Sequence, residues 1–428
     1  MVCPHFYVPI FKKKRSLLVP FFLFVYGSVR VFIIDLFLNQ AFQDSMKALC
    51  DVHDYKALAQ SRVPRMFFQY ADSGSWTQST YHSNEKDFAD ILFRQRVAVD
   101  MSNRSLASTL VGQDVSMPVA LAPIGMLGMQ HANGEILAAK AAEKAGIPFT
   151  LSTMSIASIE DVAANTEKPF WFQLYVMKDK EFAGDLIDRA KAAGCSALVL
   201  TLDLQILGQR HNDIRNGLST PPRFTPDHVW QVMTRPGWAL RMLGSKSKTF
   251  GNIAGHVKNV TDLSSLASWT AEQFDPKLNW DDVAWIKERW GGKLILKGIM
   301  DAEDARFAVN TGADAIVVSN HGGRQLDGAP SSIRVLPEIV DAVGKDIEIH
   351  IDGGIRSGQD VLRARCLGAD GIWLGRAYVY GLGARGEQGV TDVLEIVRKE
   401  LDTTMALCGE RLIENVGPHN LYDRENKF

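Results

Sequence analysis

The sequence has few cysteines, and no two of them stand at the CxxC spacing of a zinc or redox site. Among 428 residues there are only five, and they lie at positions 3, 50, 195, 366 and 408. A disulfide framework is therefore not expected, and no metal site is predicted. The scattered cysteines are typical of a protein from a reducing compartment.

An excess of charge of one sign is also lacking. Lysine and arginine number 47 against 49 aspartates and glutamates, which gives a formal net charge of -2. This balance gives no reason to expect nucleic acid as a partner. Hydrophobic residues make up 46% of the chain, a share typical of a folded core rather than of a disordered chain.

Long apolar runs are confined to residues 1–45. A cluster of four basic residues there precedes a mostly apolar run over 16–38, which resembles a signal anchor. Arg30 and Asp35 interrupt the run, and each would cost about 2.5–3.5 kcal/mol at the bilayer centre. Two interpretations stay open for this N-terminal extension. It is an anchor, or its start codon is assigned too far upstream and Met46 opens the chain.

A Rossmann fingerprint is absent too, because no GxGxxG motif follows the first predicted strand. From about residue 51 short apolar runs alternate with longer amphipathic ones, a pattern that indicates parallel βα units. Eight candidate strands are present: Val119–Ala122, Phe149–Leu151, Phe170–Tyr175, Ala197–Thr201, Leu294–Gly298, Ala315–Ser319, Glu348–Asp352 and Gly371–Leu374. Helix-like stretches follow most of them, among them Gly134–Ala145, Asp179–Ala193 and Ala302–Thr311. We therefore predict an α/β fold, a (β/α)₈ TIM barrel over residues 46–428.

One connection, after the fourth strand, is far longer than the others, and we assign residues 204–280 to an insertion. Within it, residues 219–258 carry six basic residues and one acidic residue, Asp227, together with Trp230 and Trp238. A basic segment that contains tryptophan is typical of a membrane interface. The alternative is an ordinary lid that packs its tryptophans on the barrel.

Polar or glycine-rich segments stand at the predicted carboxyl ends of the strands, the face of a barrel that carries function. In chain order these ends hold Ala122-Pro123-Ile124-Gly125, Ser152, Gln173 with Tyr175, Thr201 with Asp203, Lys297, Ser319–Arg324, Asp352–Arg356 and Gly375-Arg376. Candidate ligands on every strand predict one site at this face.

The last two strand ends predict a phosphate site. Gly354 and Gly375 let backbone N–H groups approach an anion closely, and Arg356 and Arg376 add charge with bidentate geometry. Barrels commonly bind phosphate after their seventh and eighth strands. A single DGGIR or GRA motif would be a weak signal, but the two together on these strands are specific.

His321 is the candidate general base, because an imidazole titrates near neutrality. A lone histidine at a strand end is more often structural, but here the glycines that follow leave space beside it. Arg324 can bind a carboxylate while His321 faces the carbon that carries a hydroxyl. Asp203 can orient the imidazole and stabilise its protonated form, and Arg210 offers a second cation. This set predicts a small anionic substrate.

Five motifs carry a family resemblance: SNHGGRQLD (Ser319–Asp327), QLYV (Gln173–Val176), TLD (Thr201–Asp203), DGGIRSG (Asp352–Gly358) and LGRA (Leu374–Ala377). With them the sequence resembles the FMN-dependent 2-hydroxy-acid dehydrogenase and oxidase family from about Asp51 onward. Within that family it is most similar to the bacterial respiratory L-lactate dehydrogenases. The resemblance implies the cofactor FMN.

The resemblance also implies roles for individual residues. His321 would take a proton from the substrate, with Asp203 as its partner. The substrate would be bound, or its developing charge stabilised, by Tyr70, Tyr175, Arg210 and Arg324. The flavin ring and ribityl chain would contact Ala122, Pro123, Ile124, Ser152, Gln173, Thr201 and Lys297. The phosphate end would be held by Asp352, Gly353, Gly354, Arg356, Gly375 and Arg376.

Three residues bear on the chemistry within the family. Lys297 has two ordinary interpretations, a surface lysine or a Schiff-base lysine, but beside a flavin ring it would stabilise negative charge on the reduced ring. Met154 stands in the substrate pocket where the resembling plant glycolate oxidases carry tryptophan. Gly125 replaces the alanine of those oxidases, which is evidence against oxygen as the acceptor.

The resemblance implies a homotetramer that oxidises L-lactate to pyruvate and passes electrons to a respiratory quinone. It would lie peripherally on the cytoplasmic face of the inner membrane. The alternatives are another L-2-hydroxy acid such as mandelate, for which Met154 and Gly125 leave room, or an oxidase that uses oxygen. A phosphate-ligand-binding barrel without turnover is the alternative of a different class.

Overall fold

The computed structural model describes residues 48–218, 225–245, 249–253 and 273–422. The barrel belongs to a unit that begins at Asp51, and residues 1–47 lie outside the described part. The two interpretations of residues 1–45 therefore fall outside the described part. Within that part, no helix combines the length and the apolar character that crossing a bilayer requires.

Eight parallel strands form the barrel, and an antiparallel hairpin, β1 (Ser108–Leu110) and β2 (Gln113–Val115), precedes them. The barrel strands are β3 (Val119–Leu121), β4 (Thr150–Ser152), β5 (Trp171–Tyr175), β6 (Ala197–Thr201), β7 (Lys293–Ile299), β8 (Ala315–Val318), β9 (Glu348–Asp352) and β10 (Gly371–Leu374). Each pairs with its neighbour in the chain, β10 pairs with β3, and a parallel bridge from Leu121 to Phe149 joins the first two. The predicted TIM barrel is confirmed, and each strand lies within one residue of its predicted bounds.

Helices surround the barrel: they lie before β1, between successive barrel strands and after β10. Their bounds are Val52–Arg62, Arg65–Ala71, Ser79–Lys86, Leu127–Gln130, Gly134–Ala145, Ile159–Ala163, Lys180–Ala192, His211–Arg215, Pro226–Met233, Pro236–Leu243, Trp280–Trp290, Ala302–Asn310, Ser332–Val343, Gly358–Cys366, Arg376–Arg385 and Glu387–Leu407. Short 3-10 turns lie at Asp87–Asp90, Ile413–Asn415 and Pro418–Asn420. The hairpin and the helices before β3 were not predicted from the sequence.

Packed side chains fill the barrel interior beneath the carboxyl ends of the strands, and the hairpin packs against them from the amino-terminal end. Trp171 and Trp373 lie with ring centroids 5.5 Å apart, and the Trp373 indole N–H donates to Nδ1 of His350 at 2.8 Å. The Val111 N–H of the hairpin donates to the carboxylate of Glu348, the first residue of β9, at 2.9 Å. Because this end is filled, a ligand has to enter at the carboxyl end of the strands.

The long insertion contributes two short amphipathic helices, Pro226–Met233 and Pro236–Leu243, which we call the exposed helix pair. Trp238 is buried, its indole N–H donates to the carbonyl of Met129 at 2.9 Å, and its ring stacks on Phe67. Trp230, in contrast, is exposed. Trp238 therefore packs on the barrel as a lid residue would, and the proposed interfacial role does not hold for it.

Asp327 fixes the loop after β8 to the amino-terminal segment. Its carboxylate accepts hydrogen bonds from the backbone of Thr77 at 2.8 Å and of Thr80 at 3.0 Å. The hydroxyls of Thr77 and Ser79 donate to it as well. The sequence motif SNHGGRQLD thus ends on a residue that orders the segment facing the site.

We predict that Asp327→Ala lowers the free energy of unfolding by about 2 kcal/mol, because hydrogen bonds to a charged group are lost together. Urea unfolding monitored by circular dichroism measures this. Asp346→Ala, at an exposed turn position, is the matched control and is expected to stay within about 0.5 kcal/mol of the parent. Equal free energies of unfolding for the two variants would contradict the proposed role of Asp327 in fixing this loop.

Candidate active site

A cavity of about 420 Å³ opens at the carboxyl ends of the strands. Most of the residues predicted for the site line it: Tyr70, Ala122, Pro123, Ile124, Met154, Tyr175, Thr201, Arg210, Lys297, His321, Arg324, Asp352, Gly353, Gly354, Arg356, Gly375 and Arg376. Ser152, Gln173 and Asp203 do not line it. The Ser152 hydroxyl donates to Oε1 of Gln173 at 3.1 Å, and cofactor contacts of this pair stay a prediction.

His321 and Asp203 form a hydrogen-bonded pair at the wall of this cavity, with 2.9 Å between Nδ1 and Oδ1. A carboxylate only accepts, so Nδ1 carries the proton and Nε2 is left as the basic atom. Gly298, which has a φ of +104°, packs against this aspartate, and a Cβ there would lie 2.8 Å from the Asp203 side chain. The position of Asp203 therefore depends on a glycine in β7.

The electrostatics keep the imidazole neutral. Burial lowers the pKa of His321 below its ordinary value, the cations Lys297 and Arg210 lower it further, and Asp203 opposes them without reversing the shift. Burial by itself would raise the pKa of Asp203, but His321 and Lys297 bring it below its usual range. At neutral pH the pair is thus a carboxylate that holds a neutral base.

Two arginines lie at the substrate end of the cavity, beside the imidazole. The Arg324 guanidinium donates to the carbonyl of Tyr70 and lies 4.9 Å from the centroid of the Tyr70 ring. Burial and the charge of Arg324 lower the pKa of Arg210. The ring of Tyr175 lies nearly parallel to His321, with centroids 6.4 Å apart. Two guanidinium groups, a phenol and a base fit a small anion that also carries a hydroxyl.

Gly125 and Met154 lie next to each other at the same end of the cavity. A Cβ at position 125 would lie 3.2 Å from Cβ of Met154 and 3.1 Å from the hydroxyl of Tyr70. Both distances are tighter than ordinary van der Waals contact, so a larger residue at 125 would push on the substrate pocket.

Lys297 is buried, only 4% exposed, so the interpretation as a surface lysine is wrong. Its Nζ lies 2.9 Å from Oδ2 of Asp352 and donates to the hydroxyl of Ser319 at 2.7 Å. The other oxygen of Asp352, the hydroxyl of Thr201 and Nε2 of Gln173 are buried and have no partner among the described residues. Buried polar atoms without partners indicate a missing polar ligand.

The opposite end of the cavity has the features of a phosphate site. A Cβ on Gly354 would lie 1.8 Å from the carbonyl oxygen of Asn84, so only glycine allows the chain to run there. Gly375 precedes the helix Arg376–Arg385, whose first N–H groups face an incoming anion. The guanidinium of Arg376 is fixed by the carbonyls of residues 71 and 73, each at 2.8 Å.

An aspartate that the sequence did not single out organises the two arginines at this end. Oδ1 of Asp72 accepts hydrogen bonds from Tyr81 at 2.7 Å and from Tyr380 at 2.5 Å. Arg376 lies 4.6 Å from the ring centroid of Tyr81, and Arg356 lies 5.8 Å from that of Tyr380. One carboxylate thus fixes two aromatic rings, and each ring contacts one guanidinium.

The comparisons with known proteins agree with this geometry. Residues 59–423 match the family described as FMN-dependent dehydrogenase. The chain belongs to this family. It is 47% identical over 371 residues to an L-lactate dehydrogenase of Haemophilus influenzae, covering 86% of this chain and 97% of the relative. It is 48% identical over 364 residues to an L-lactate dehydrogenase of Pseudomonas entomophila, covering 85% and 95%.

Solved structures of similar proteins have the same fold. The monotopic membrane protein (S)-mandelate dehydrogenase superposes with a TM-score of 0.84 at 36% identity, over 88% of this chain and 100% of that one. A mandelate oxidase superposes with a TM-score of 0.74 at 33% identity, over 88% and 98%. The family resemblance and the cofactor expected from the sequence are thereby confirmed.

The residues of the cavity fit FMN. The glycines and arginines after β9 and β10 suit its phosphate, and the partnerless polar atoms of Thr201 and Asp352 suit polar groups of its ribityl chain or ring. When bound, FMN supplies an acceptor for two electrons. The roles of Lys297 beside the flavin and of His321 beside the substrate stay predictions.

Sequence reasoning missed part of the pocket wall. Leu204, Leu207, Asp213, Ile214, Leu218, Phe250, Phe274, Trp373 and Val379 also line the cavity. Most are apolar side chains without a motif, so no local signal marks them. Asp213 did carry a signal, because it lies one helical turn after Arg210 in the segment from 210 to 215.

We predict that His321→Gln retains FMN but slows bleaching of the bound flavin by substrate at least about 10³-fold, because the base is lost. Anaerobic stopped-flow absorbance measures this. His82→Gln, on the helix Ser79–Lys86, is the control and is expected to react as the parent does. Unchanged bleaching in His321→Gln would exclude this residue as the base.

We also predict that Tyr380→Phe weakens binding of FMN about fivefold but leaves binding of riboflavin unchanged, because only the phosphate end is affected. Fluorescence titration of the apoprotein with both flavins measures the ratio. Tyr55→Phe removes a similar tyrosine–aspartate bond, to Asp392 at 2.7 Å, and serves as the control. An equal loss for both flavins would contradict a role specific to phosphate.

Proposed function

We propose that this protein oxidises L-lactate to pyruvate with bound FMN and passes the electrons to a membrane quinone. The observation that carries the proposal is the convergence of the neutral base His321 with Arg210 and Arg324 at one end of the cavity. The L-lactate dehydrogenases at 47–48% identity over nearly their whole length support the choice of substrate.

The proposed chemistry follows from the side chains. Arg210 and Arg324 bind the substrate carboxylate, which sets the hydroxyl-bearing carbon beside His321. Oxidation removes two electrons and two hydrogens from that carbon and its oxygen. Nε2 of His321 takes up one proton, whether the hydrogen on carbon leaves as a proton or as a hydride, and the two electrons and the second hydrogen would pass to bound FMN. Asp203 then stabilises the imidazolium that forms.

Lys297 assists the transfer of electrons to the flavin. Its ammonium group is buried and oriented by Asp352 and Ser319. In a buried site an oriented cation stabilises developing negative charge more strongly than in water. Lys297 therefore favours the flavin in its reduced, negatively charged form.

The exposed helix pair supports a membrane acceptor. Val229, Trp230, Met233, Leu240 and Leu243 are between 60% and 74% exposed. Large apolar side chains clustered on two short helices, beside Arg235 and Arg241, are typical of a surface that enters a lipid interface. We propose that the protein binds a bilayer peripherally through this pair. The cytoplasmic face of the inner membrane and the homotetramer stay predictions.

We predict that L-lactate bleaches the bound flavin under anaerobic conditions while D-lactate does not. The colour then returns on addition of a quinone analogue. Oxygen should restore it slowly and with little peroxide, and (S)-mandelate should bleach the flavin less efficiently than L-lactate. Absorbance and peroxide assays measure these outcomes. Flavin that L-lactate leaves oxidised would contradict the substrate, and rapid peroxide release would contradict the acceptor.

We predict that the double variant Leu240→Glu, Leu243→Glu lowers binding to anionic phospholipid vesicles at least about tenfold, because two apolar contacts are replaced by charge. Vesicle sedimentation measures this, and oxidation of L-lactate with a soluble acceptor should stay unchanged. The control is Leu407→Glu, an exposed leucine outside the pair. Equal binding by both variants would argue against docking through this pair.

A further inference from the structure

A buried carboxyl group at the substrate end of the cavity has no role in the chemistry above. Asp213 is 8% exposed and lines the cavity with Arg210 and Arg324. Its Oδ1 has no hydrogen-bond partner among the described residues. Burying a carboxylate oxygen without a hydrogen-bond partner is unfavourable. Its presence in a ligand cavity therefore points to a function.

The position of Asp213 follows from the short helix His211–Arg215, which begins directly after Arg210. The aspartate therefore lies about one turn from that arginine, on the same element. Within the described ranges neither Arg210 nor Arg324 forms an ion pair with it. The three groups nevertheless act on one another: burial raises the pKa of Asp213, and the two guanidinium groups oppose that rise.

The charges that line this end can be counted. Two guanidinium groups and one carboxylate sum to +1. Asp203 does not line the cavity and is hydrogen-bonded to the imidazole, while Lys297 is paired with Asp352. A substrate with one carboxylate therefore brings the net charge of this end to zero. Leu204, Ile214 and Phe274 form an apolar part of the cavity wall.

We propose that Asp213 restricts the enzyme to monocarboxylic 2-hydroxy acids by holding the lining of the substrate end at a charge of +1. This inference rests on the proposed oxidation of a 2-hydroxy acid. A dicarboxylate would bring a second negative charge against the aspartate and against Leu204, Ile214 and Phe274. No cation is left to pair with this second charge, so the dicarboxylate is excluded as a substrate.

A purely structural role for Asp213 makes the opposite prediction. If the carboxylate only oriented Arg210, its loss would weaken the binding of every carboxylate substrate by the same factor. If the carboxylate sets the net charge of the substrate end, its loss leaves a charge of +2. This charge favours dicarboxylates selectively and does not weaken the binding of L-lactate. The two roles are therefore distinguished by whether kcat/KM rises or falls and by whether it changes for dicarboxylates alone or for all carboxylate substrates.

The test compares the FMN-loaded parent, Asp213→Asn and Asp213→Glu, with L-lactate and L-malate as substrates. Asparagine has the size of aspartate without its charge, and glutamate retains the charge. We expect kcat/KM for L-malate relative to L-lactate to rise at least about tenfold in Asp213→Asn, with no rise in KM for L-lactate. Asp213→Glu should keep the preference of the parent.

The possible outcomes are distinct. A relative preference within twofold of the parent, or a parallel loss for both acids, would overturn the role of Asp213. A parent whose flavin neither acid bleaches would instead contradict the proposed function. Flavin content and thermal unfolding verify folding of each variant. If Asp213→Asn does not retain flavin, Asp213→Ser removes the same charge and is judged by the same ratio.

Discussion

The hydrogen bond between His321 and Asp203 is the interaction on which the proposed chemistry depends. Burial makes a neutral imidazole the stable form, and the carboxylate fixes which nitrogen is basic. Without the buried wall the histidine would be charged for part of the physiological range, and without Asp203 its ring would be free to turn. The barrel provides both conditions, since β6 brings the aspartate and the loop after β8 brings the histidine to the same wall.

The two ends of the cavity are specialised by different means. At the phosphate end, glycines clear the space and Asp72 orders the arginines through the rings of Tyr81 and Tyr380. At the substrate end, charge is left partly uncompensated, which favours an anion. The two ends therefore suit two different anions, the phosphate of the cofactor and the carboxylate of the substrate.

Much of the fold and site could be predicted from the sequence, because its signals are local. Alternating apolar runs set the eight strands, and the polar residues after them necessarily meet at one barrel face. The contact of Asp72 with Tyr380 and the partnerless oxygen of Asp213 could not be predicted, since each joins segments far apart in the chain or depends on burial. The sequence left open whether Trp238 packs on the barrel or faces a membrane interface, because the composition of its segment does not reveal which side chains are buried.

The central claim, a neutral buried base that takes the substrate proton, is tested most directly by the pH dependence of kcat/KM for L-lactate. The base has to be deprotonated, so the rate falls as the pH drops through the pKa of His321. The account predicts an acid limb with its midpoint below the ordinary imidazole pKa of 6.5, because burial depresses it. An acid limb with its midpoint well above that ordinary pKa, or a rate that stays constant as the pH is lowered, would contradict the account.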